Sequence, residues 1–382
     1  MPRIGGEIPK HVRVLSIPGP RHAQNSYFPL LWRALEGAGL DMVDARSNAA
    51  FMLKFDILHV HFPEHLVTER SLQSALVSGP LFLAYVVAVR IAGKNLIWTI
   101  HEIAPKRRLW LARPFLWCMR RLTNAYVFMN RTSEDEFFSR YPKERQKVIC
   151  RVPHSAYPVT KISAADYDRT RMSLTQGTQC LLVGFLGEIR PYKNPIALQY
   201  LPPSDFQGRP LLLIVAGTIH ASSDAESTEA AISKLDADRL VQIRERLSDE
   251  QLSKLIQSID LVFMPYLQGW NSGFAMFALA CGARLLCSNL PMFREMAEAL
   301  GPPWIYLFDH NAADLSHELN AAVGRITQDR LERADYVHLE RFLAAHSFEK
   351  AASEYTSLFH ILLSKNLRDG PPQHDPHFPY CH

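Results

Sequence analysis

Short apolar runs alternate with stretches of helical period along almost the whole chain. "HVRVLSI" is followed by "YFPLLWRALEGAGL", "DILHVHF" by a long helical region, "NLIWTIHE" by "RPFLWCMRRLTN", and then comes "AYVFMN". After a polar stretch near "PHSAYPVTKISAADYDRTRMSLTQG" the order starts again. It runs "CLLVGFLG", a helix at "NPIALQYL", "PLLLIVAG", the helix "SDEQLSKLIQSI", "DLVFMPY", a helix from Ser272, "ARLLCSN" and "WIYLF". Apolar runs too short for helices, separated by helix-length patterns, predict parallel strands with crossover helices. Two such series predict an α/β protein of two Rossmann-like domains facing each other across a cleft. The expected boundaries are 1–160, 161–345, a C-terminal helix 346–368 able to cross back to the first domain, and a Pro- and His-rich tail 369–382 read as disordered.

Composition agrees with two domains. A chain of 382 residues, 47% hydrophobic and 21% charged, can bury two cores. Cys118, Cys150, Cys180, Cys281, Cys287 and Cys381 are scattered with no CxxC pair. That spacing argues against a disulfide framework or a zinc ribbon, and it leads us to expect a reducing, cytoplasmic setting. The N-terminal stretch has no continuous apolar segment, so no signal peptide is expected. The longest apolar run, Pro80 to Gly93, is broken by Arg90 and falls short of the roughly 20 residues that span a bilayer. It is read as a buried helix.

The net charge of +4 hides an asymmetry. Residues 1–171 hold 25 Lys and Arg against 14 Asp and Glu, while residues 172–382 hold 17 against 24. The basic half is the one expected to meet an anionic partner. Its densest part, "KRRLWLARPFLWCMRRL" from Lys106 to Leu122, interleaves Arg with Leu, Trp and Phe as an interfacial amphipathic helix does. An ordinary surface helix with a solvated basic face has the same pattern. No nucleic-acid-binding module is recognisable, so no nucleic-acid partner is expected.

Ligands of open α/β sheets sit beyond the carboxyl ends of the strands, which makes the residues after each apolar run the candidates for chemistry. In "FLGEIRPYKN", Gly187 can let backbone approach a phosphate, and Arg190 and Lys193 can neutralise a diphosphate. Two surface cations in a loop would look alike. In "GWNSGFAMFALACG", Asn271, Ser272 and Gly273 stand at a helix start. A hydroxyl beside unpaired backbone N–H groups there binds phosphate as readily as it caps the helix. The plain alternative is a capped helix packed through Phe274, Phe277 and Leu279. "HVHFPEH" gathers His59, His61, Glu64 and His65, with alternation placing His59 and His61 on one side of the strand. Buried parallel strands hold core histidines more often than ligands, so no metal is expected. In "TIHE", His101 and Glu102 can each take a proton from a hydroxyl, and Glu64 stands just past a strand end where it can meet a ligand. No cofactor is expected.

Several of these fragments together resemble the GT-B glycosyltransferases. "FLGEIRPYKN" resembles their donor-phosphate loop. "LSDEQLSKLIQSIDLVFMPY" resembles the helix and strand before their nucleotide-sugar pocket, and "TIHE" the strand end that carries a catalytic histidine in family-4 members. More narrowly, "DILHVHFPEHL", "IWTIHEIAP", "VPHSAYP" and "NSGFAMFALACGARLLCSN" resemble the xanthan-assembly type of bacterial β-mannosyltransferase. The two glutamates that family-4 enzymes carry eight residues apart fall here on Gly269 and Phe277, so Asn271–Gly273 is the substitute. The resemblance implies a GT-B fold with donor contacts at Gly187, Arg190, Lys193, Asn271, Ser272 and Gly273. It also implies an acceptor side with Arg21, His61 and His154, and a base among His101, Glu102 and Glu64. The implied reaction is inverting transfer of mannose from GDP-mannose to a polyprenyl-diphosphate-linked oligosaccharide in exopolysaccharide assembly. It would take place at the inner face of the cell membrane, on an anionic surface. A retaining family-4-like enzyme using another nucleotide sugar, and a non-catalytic binding subunit, stay open.

Overall fold

In a computed structural model of the chain, which describes residues 12–20, 26–68, 71–102, 109–205, 208–220, 225–329 and 331–365, every one of the apolar runs becomes a strand. The first series gives β1 (Arg13–Ile17), α1 (Tyr27–Gly37), β2 (Asp41–Val43), α2 (Asn48–Phe51), β3 (Ile57–Val60), α3 (His65–Thr68) and α4 (Leu72–Ile91). It continues with β4 (Asn95–Ile100), α5 (Leu109–Leu122), β5 (Ala125–Phe128), α6 (Arg131–Arg140) and β6 (Val148–Arg151). The second gives α7 (Ala164–Thr175), β7 (Leu181–Leu186), β8 (Leu211–Ala216), α8 (Ala225–Ser233), β9 (Leu240–Ile243), α9 (Asp249–Gln257) and β10 (Leu261–Met264). After these come α10 (Gly273–Ala280), β11 (Leu285–Ser288), α11 (Pro291–Leu300), β12 (Ile305–Phe308), α12 (Leu315–Gln328) and α13 (Arg333–Ala345), and α14 (Phe348–Lys365) ends the series.

The chain divides into two compact units, Met1–Ser155 with His346–His382, and Ala156–Ala345. Each holds one six-stranded parallel sheet, in the order β2-β1-β3-β4-β5-β6 and β12-β11-β10-β7-β8-β9. Both faces of the second sheet are covered. Leu181, Val183 and Phe185 of β7 pack into one core while Leu182 and Leu186 pack into the other, which is why the central strands β7, β8 and β10 read as apolar runs. In the first unit, α14 lays Tyr355, Leu358, Phe359 and Leu362 inward, and Tyr27 of α1 meets Phe348 ring to ring at 5.4 Å.

Three findings differ from the sequence expectations. The strands β2, β6 and β9 are absent from the predicted series. All three are edge strands, only half covered, so they lack a continuous apolar run. "NPIALQYL" forms no α-helix. Asn194 takes a left-handed φ of 56°, and 3-10 turns at Pro191–Lys193 and Pro195–Tyr200 begin at prolines that donate no hydrogen bond. The run from Pro80 to Gly93, expected to be buried, is the second half of α4, whose buried residues are only Ala75, Gly79, Val86 and Val89. Its neighbours cover one narrow stripe and leave the rest exposed.

Strand order reverses between β1 and β3 in the first sheet and between β7 and β10 in the second. Such switch points open a crevice beyond the strand ends.

Candidate functional site

At the switch point of the second unit, β7 runs out at Gly187, whose φ of 84° suits glycine. Gly217 at the end of β8 lies against it so closely that a Cβ there would sit 2.1 Å from the Gly187 carbonyl oxygen. The loop then rides on the β8 loop, with Ile189 N–H donating to the Thr218 carbonyl and His220 N–H to the Ile189 carbonyl, each at 2.9 Å. A second tie, Leu267 N–H to the Tyr192 carbonyl at 2.8 Å, joins it to the loop after β10. Residues 187–193 are therefore held as a shelf.

The two cations of that shelf differ. Arg190 is half-exposed and paired, its guanidinium donating to the Glu188 carboxylate at 2.7 Å, while His220 Nδ1 meets the other Glu188 oxygen at 2.8 Å. Lys193 is buried, with its ammonium 5.7 Å from the ring centroid of Tyr266 and 5.6 Å from that of Phe274. Burial pushes its pKa down to about 8, against a smaller upward pull from Glu188. Rings attract the cation weakly, so it holds its charge without a carboxylate beside it. Next to Phe274, α10 begins. Ser272 Oγ accepts from Ala275 N–H at 3.1 Å as its N-cap, and Asn271 Oδ1 is buried without a hydrogen-bond partner. Phe277 is buried edge-on to Tyr157 at 5.5 Å, and a Cβ on Gly269 would lie 2.7 Å from Met292 Cε. Both positions that carry acids in family-4 enzymes are thus packed against apolar side chains.

At the strand ends of the first unit, His59 and His61 point to one side of β3 with rings 4.3 Å apart, both fully buried. His59 Nε2 meets Thr99 Oγ1 at 2.8 Å, and Thr99 Oγ1 meets the Tyr355 hydroxyl of α14 at 3.2 Å. His61 Nδ1 meets His101 Nε2 at 3.0 Å, so one of these two nitrogens carries the shared hydrogen, and Phe62 stacks on the His101 ring at 4.0 Å. Burial holds His59 down to about 3 and His154 down to about 4. It also holds His61 and His101 well below the usual histidine range, helped by the neighbouring imidazoles. All four are neutral at pH 7. Glu64 is buried with both carboxyl oxygens unpartnered, and desolvation, with a smaller push from Glu102, raises it to about 8. Glu102 is exposed at the end of β4.

The structure therefore brings His61, His101 and Phe62 into direct contact, with Glu64 and Glu102 close enough to interact by charge. His154 lies against Tyr27 at 4.5 Å and meets the Ser155 carbonyl through Nδ1 at 3.1 Å. Arg21, Lys106 and the tail 369–382 lie outside the described residues. Among the described residues no group of three or more His, Cys, Asp or Glu is placed to hold a metal. Sequence reasoning missed Glu188, Tyr266, Thr99 and Tyr355. Only Glu188 had a visible signal, an acid two residues before the candidate Arg190.

No family model matches the chain. Over 307 residues it is 26% identical to the GDP-mannose:glycolipid 4-beta-D-mannosyltransferase of Xanthomonas campestris pv. campestris, covering 79% of this chain and 80% of that one. Among solved structures it is similar to the sucrose-phosphate synthase of Thermosynechococcus elongatus, with TM-score 0.66 and 15% identity over 93% of this chain and all of that one. It is also similar to Anabaena Alr3699/HepE in complex with UDP, with TM-score 0.62 and 13% identity over 91% and 99% of the two chains. Taken with the two parallel six-stranded sheets, these likenesses identify a glycosyltransferase of the GT-B fold class.

Proposed function

We propose that the protein transfers mannose from GDP-mannose, with inversion, to a lipid-linked oligosaccharide at the inner face of the cell membrane. The likeness to the Xanthomonas mannosyltransferase supports this donor and a glycolipid acceptor. HepE, solved in complex with UDP, supports a nucleotide-linked donor. The observation that carries the reading is Lys193, a buried cation boxed by Tyr266 and Phe274 where β7 and β10 diverge. A departing diphosphate needs its growing charge met in a site shielded from water. Lys193 meets it, the Ser272 start of α10 adds N–H groups, and Arg190 turns from Glu188 to the ligand.

The acceptor hydroxyl needs a base. Glu64 holds its proton at pH 7 and so donates a hydrogen bond, and His101 resists protonation among its neighbours. Glu102, exposed beside them, is the residue we assign as base, with His61 and His101 orienting the acceptor.

The test is a screen of radiolabelled nucleotide sugars against a membrane lipid extract, with NMR of the product anomer. Transfer from GDP-mannose giving a β-linkage supports the reading. Transfer only from another donor, an α-linked product, or no transfer from any donor overturns it in favour of a retaining enzyme or a binding subunit.

A further inference from the structure

After Gln73 in its first turn, the outer face of α4 is apolar to its end. Helices apolar all round occur inside proteins or in lipid, yet Leu76, Leu81 (65% exposed) and Ile91 (83% exposed) point to solvent. The helix is twenty residues long, with a mean hydropathy of 1.8 over an 18-residue stretch, so it has the length and composition to cross a membrane. It is nonetheless fastened along its opposite side. A Cβ on Gly79 would sit 2.7 Å from Val67 Cγ1 of α3 and 3.7 Å from Phe115 of α5, so α4 lies directly on both neighbours.

Two further elements extend the face. The Tyr85 hydroxyl of α4 donates to the Ala50 carbonyl of α2 at 2.9 Å, which brings Phe51 (85% exposed) beside it. On α5 the exposed positions Trp110, Arg113, Pro114, Trp117 and Arg121 form one stripe, with the Arg121 guanidinium 5.3 Å from the Trp117 ring centre. Every charged residue of α4 and α5 is an arginine.

We infer that this face is a monotopic docking surface for an anionic bilayer, with α4 lying in the plane of the interface and the Trp–Arg stripe of α5 at headgroup level. Exposed Leu, Ile and Phe bury in the acyl boundary, Trp settles at the interface, and Arg pairs with lipid phosphate. A second copy of the chain would set arginine against arginine. The inference deepens the lipid-linked acceptor reading by naming the surface that approaches the lipid.

The test floats the full chain with vesicles of phosphatidylcholine, with and without phosphatidylglycerol. No acceptor lipid is present, so the outcome is independent of the transfer reaction. Wild type should float, best with phosphatidylglycerol, and high salt should weaken binding without abolishing it. The triple variant Leu76→Glu, Leu81→Glu, Ile91→Glu should lose at least roughly tenfold in partition with an unchanged melting transition. Ile91→Glu alone serves if the triple variant melts early, and should lose a smaller but measurable fraction. Three results overturn the inference: variants that float like wild type, wild-type binding wholly abolished by salt, or a wild-type dimer that the variants dissociate with no flotation in either.

Discussion

The strand ends of the two sheets use burial in opposite ways. In the first unit, burial strips charge: His59, His61, His101 and His154 are held neutral and Glu64 is held protonated. In the second, a single ammonium, Lys193, is kept poised near pH 8 inside an aromatic box. Desolvation acts on every one of these groups, and it disfavours whichever form is charged. What differs is the partner that would relieve it. A cluster of neutral donors and acceptors suits sugar hydroxyls, whereas a desolvated cation is relieved by an anion.

That contrast breaks most directly at Lys193. Lys193→Met is predicted to slow transfer by about 10²–10³, the roughly 3–4 kcal/mol typical of a buried group facing developing charge. Lys193→Arg should not restore the rate, since the box is shaped around an ammonium. Near-normal turnover of Lys193→Met would remove the distinction between the two sites.

On the first side the corresponding test is acid. His59 titrates near 6.5 when unfolded and at about 3 when folded. The unfolded chain therefore takes up the proton first, and stability is lost as pH falls from 6.5 towards 3. By pH 4 the penalty from this group alone is on the order of 3 kcal/mol. Denaturant titrations at pH 7 and 4 should show that loss, and His59→Gln should flatten it. Equal pH dependence in both proteins would mean that the buried histidines do not set acid stability.

The poised lysine makes the donor side answer to base instead. Above about pH 8 the unliganded Lys193 loses its proton, and an anion brings it back, so diphosphate binding should take up a proton and weaken by up to about tenfold per pH unit. Calorimetry at pH 9 in two buffers of different ionisation enthalpy reads the uptake directly. No buffer dependence would place the diphosphate away from Lys193.

Smaller effects sharpen the contrast within the second unit. Arg190→Ala should cost only about 1 kcal/mol in binding, because Arg190 is half-exposed and already paired with Glu188. Ser272→Ala should weaken nucleotide binding by roughly 1 kcal/mol through a lost hydrogen bond. It should also lower the melting point by roughly 2–4 °C, because Ser272 itself caps α10. A full-sized effect at Arg190, or an unmoved melting point for Ser272→Ala, would each revise the local geometry.

How much of this could be read beforehand depends on which physical quantity each feature reports. The central strands β7, β8 and β10 were legible because burial on both faces demands apolar residues throughout, and β3 and β4 because apolar residues flank His59 and Thr99 where these interrupt the runs. The edge strand β12 was legible because it is buried along nearly its whole length, whereas the edge strands β2, β6 and β9 carry exposed or half-buried positions where that demand lapses. Gly187, Arg190, Lys193, His101 and Glu64 stood out because strand ends are where side chains turn towards a ligand. Their partners did not. Tyr355 lies 256 residues from Thr99, and Tyr266 and Phe274 reach Lys193 from a different strand end.

Sequence alone therefore determined the α/β class, the two-series order of strands and helices and the strand ends that bear chemistry, because these follow from local periodicity and backbone geometry. Tertiary structure decided which cation is boxed and which is paired, which carboxyl keeps its proton, and that α4 faces outward. Burial and electrostatic environment belong to the neighbours that long-range folding assembles, and an apolar run carries the same local pattern whether protein or lipid covers it.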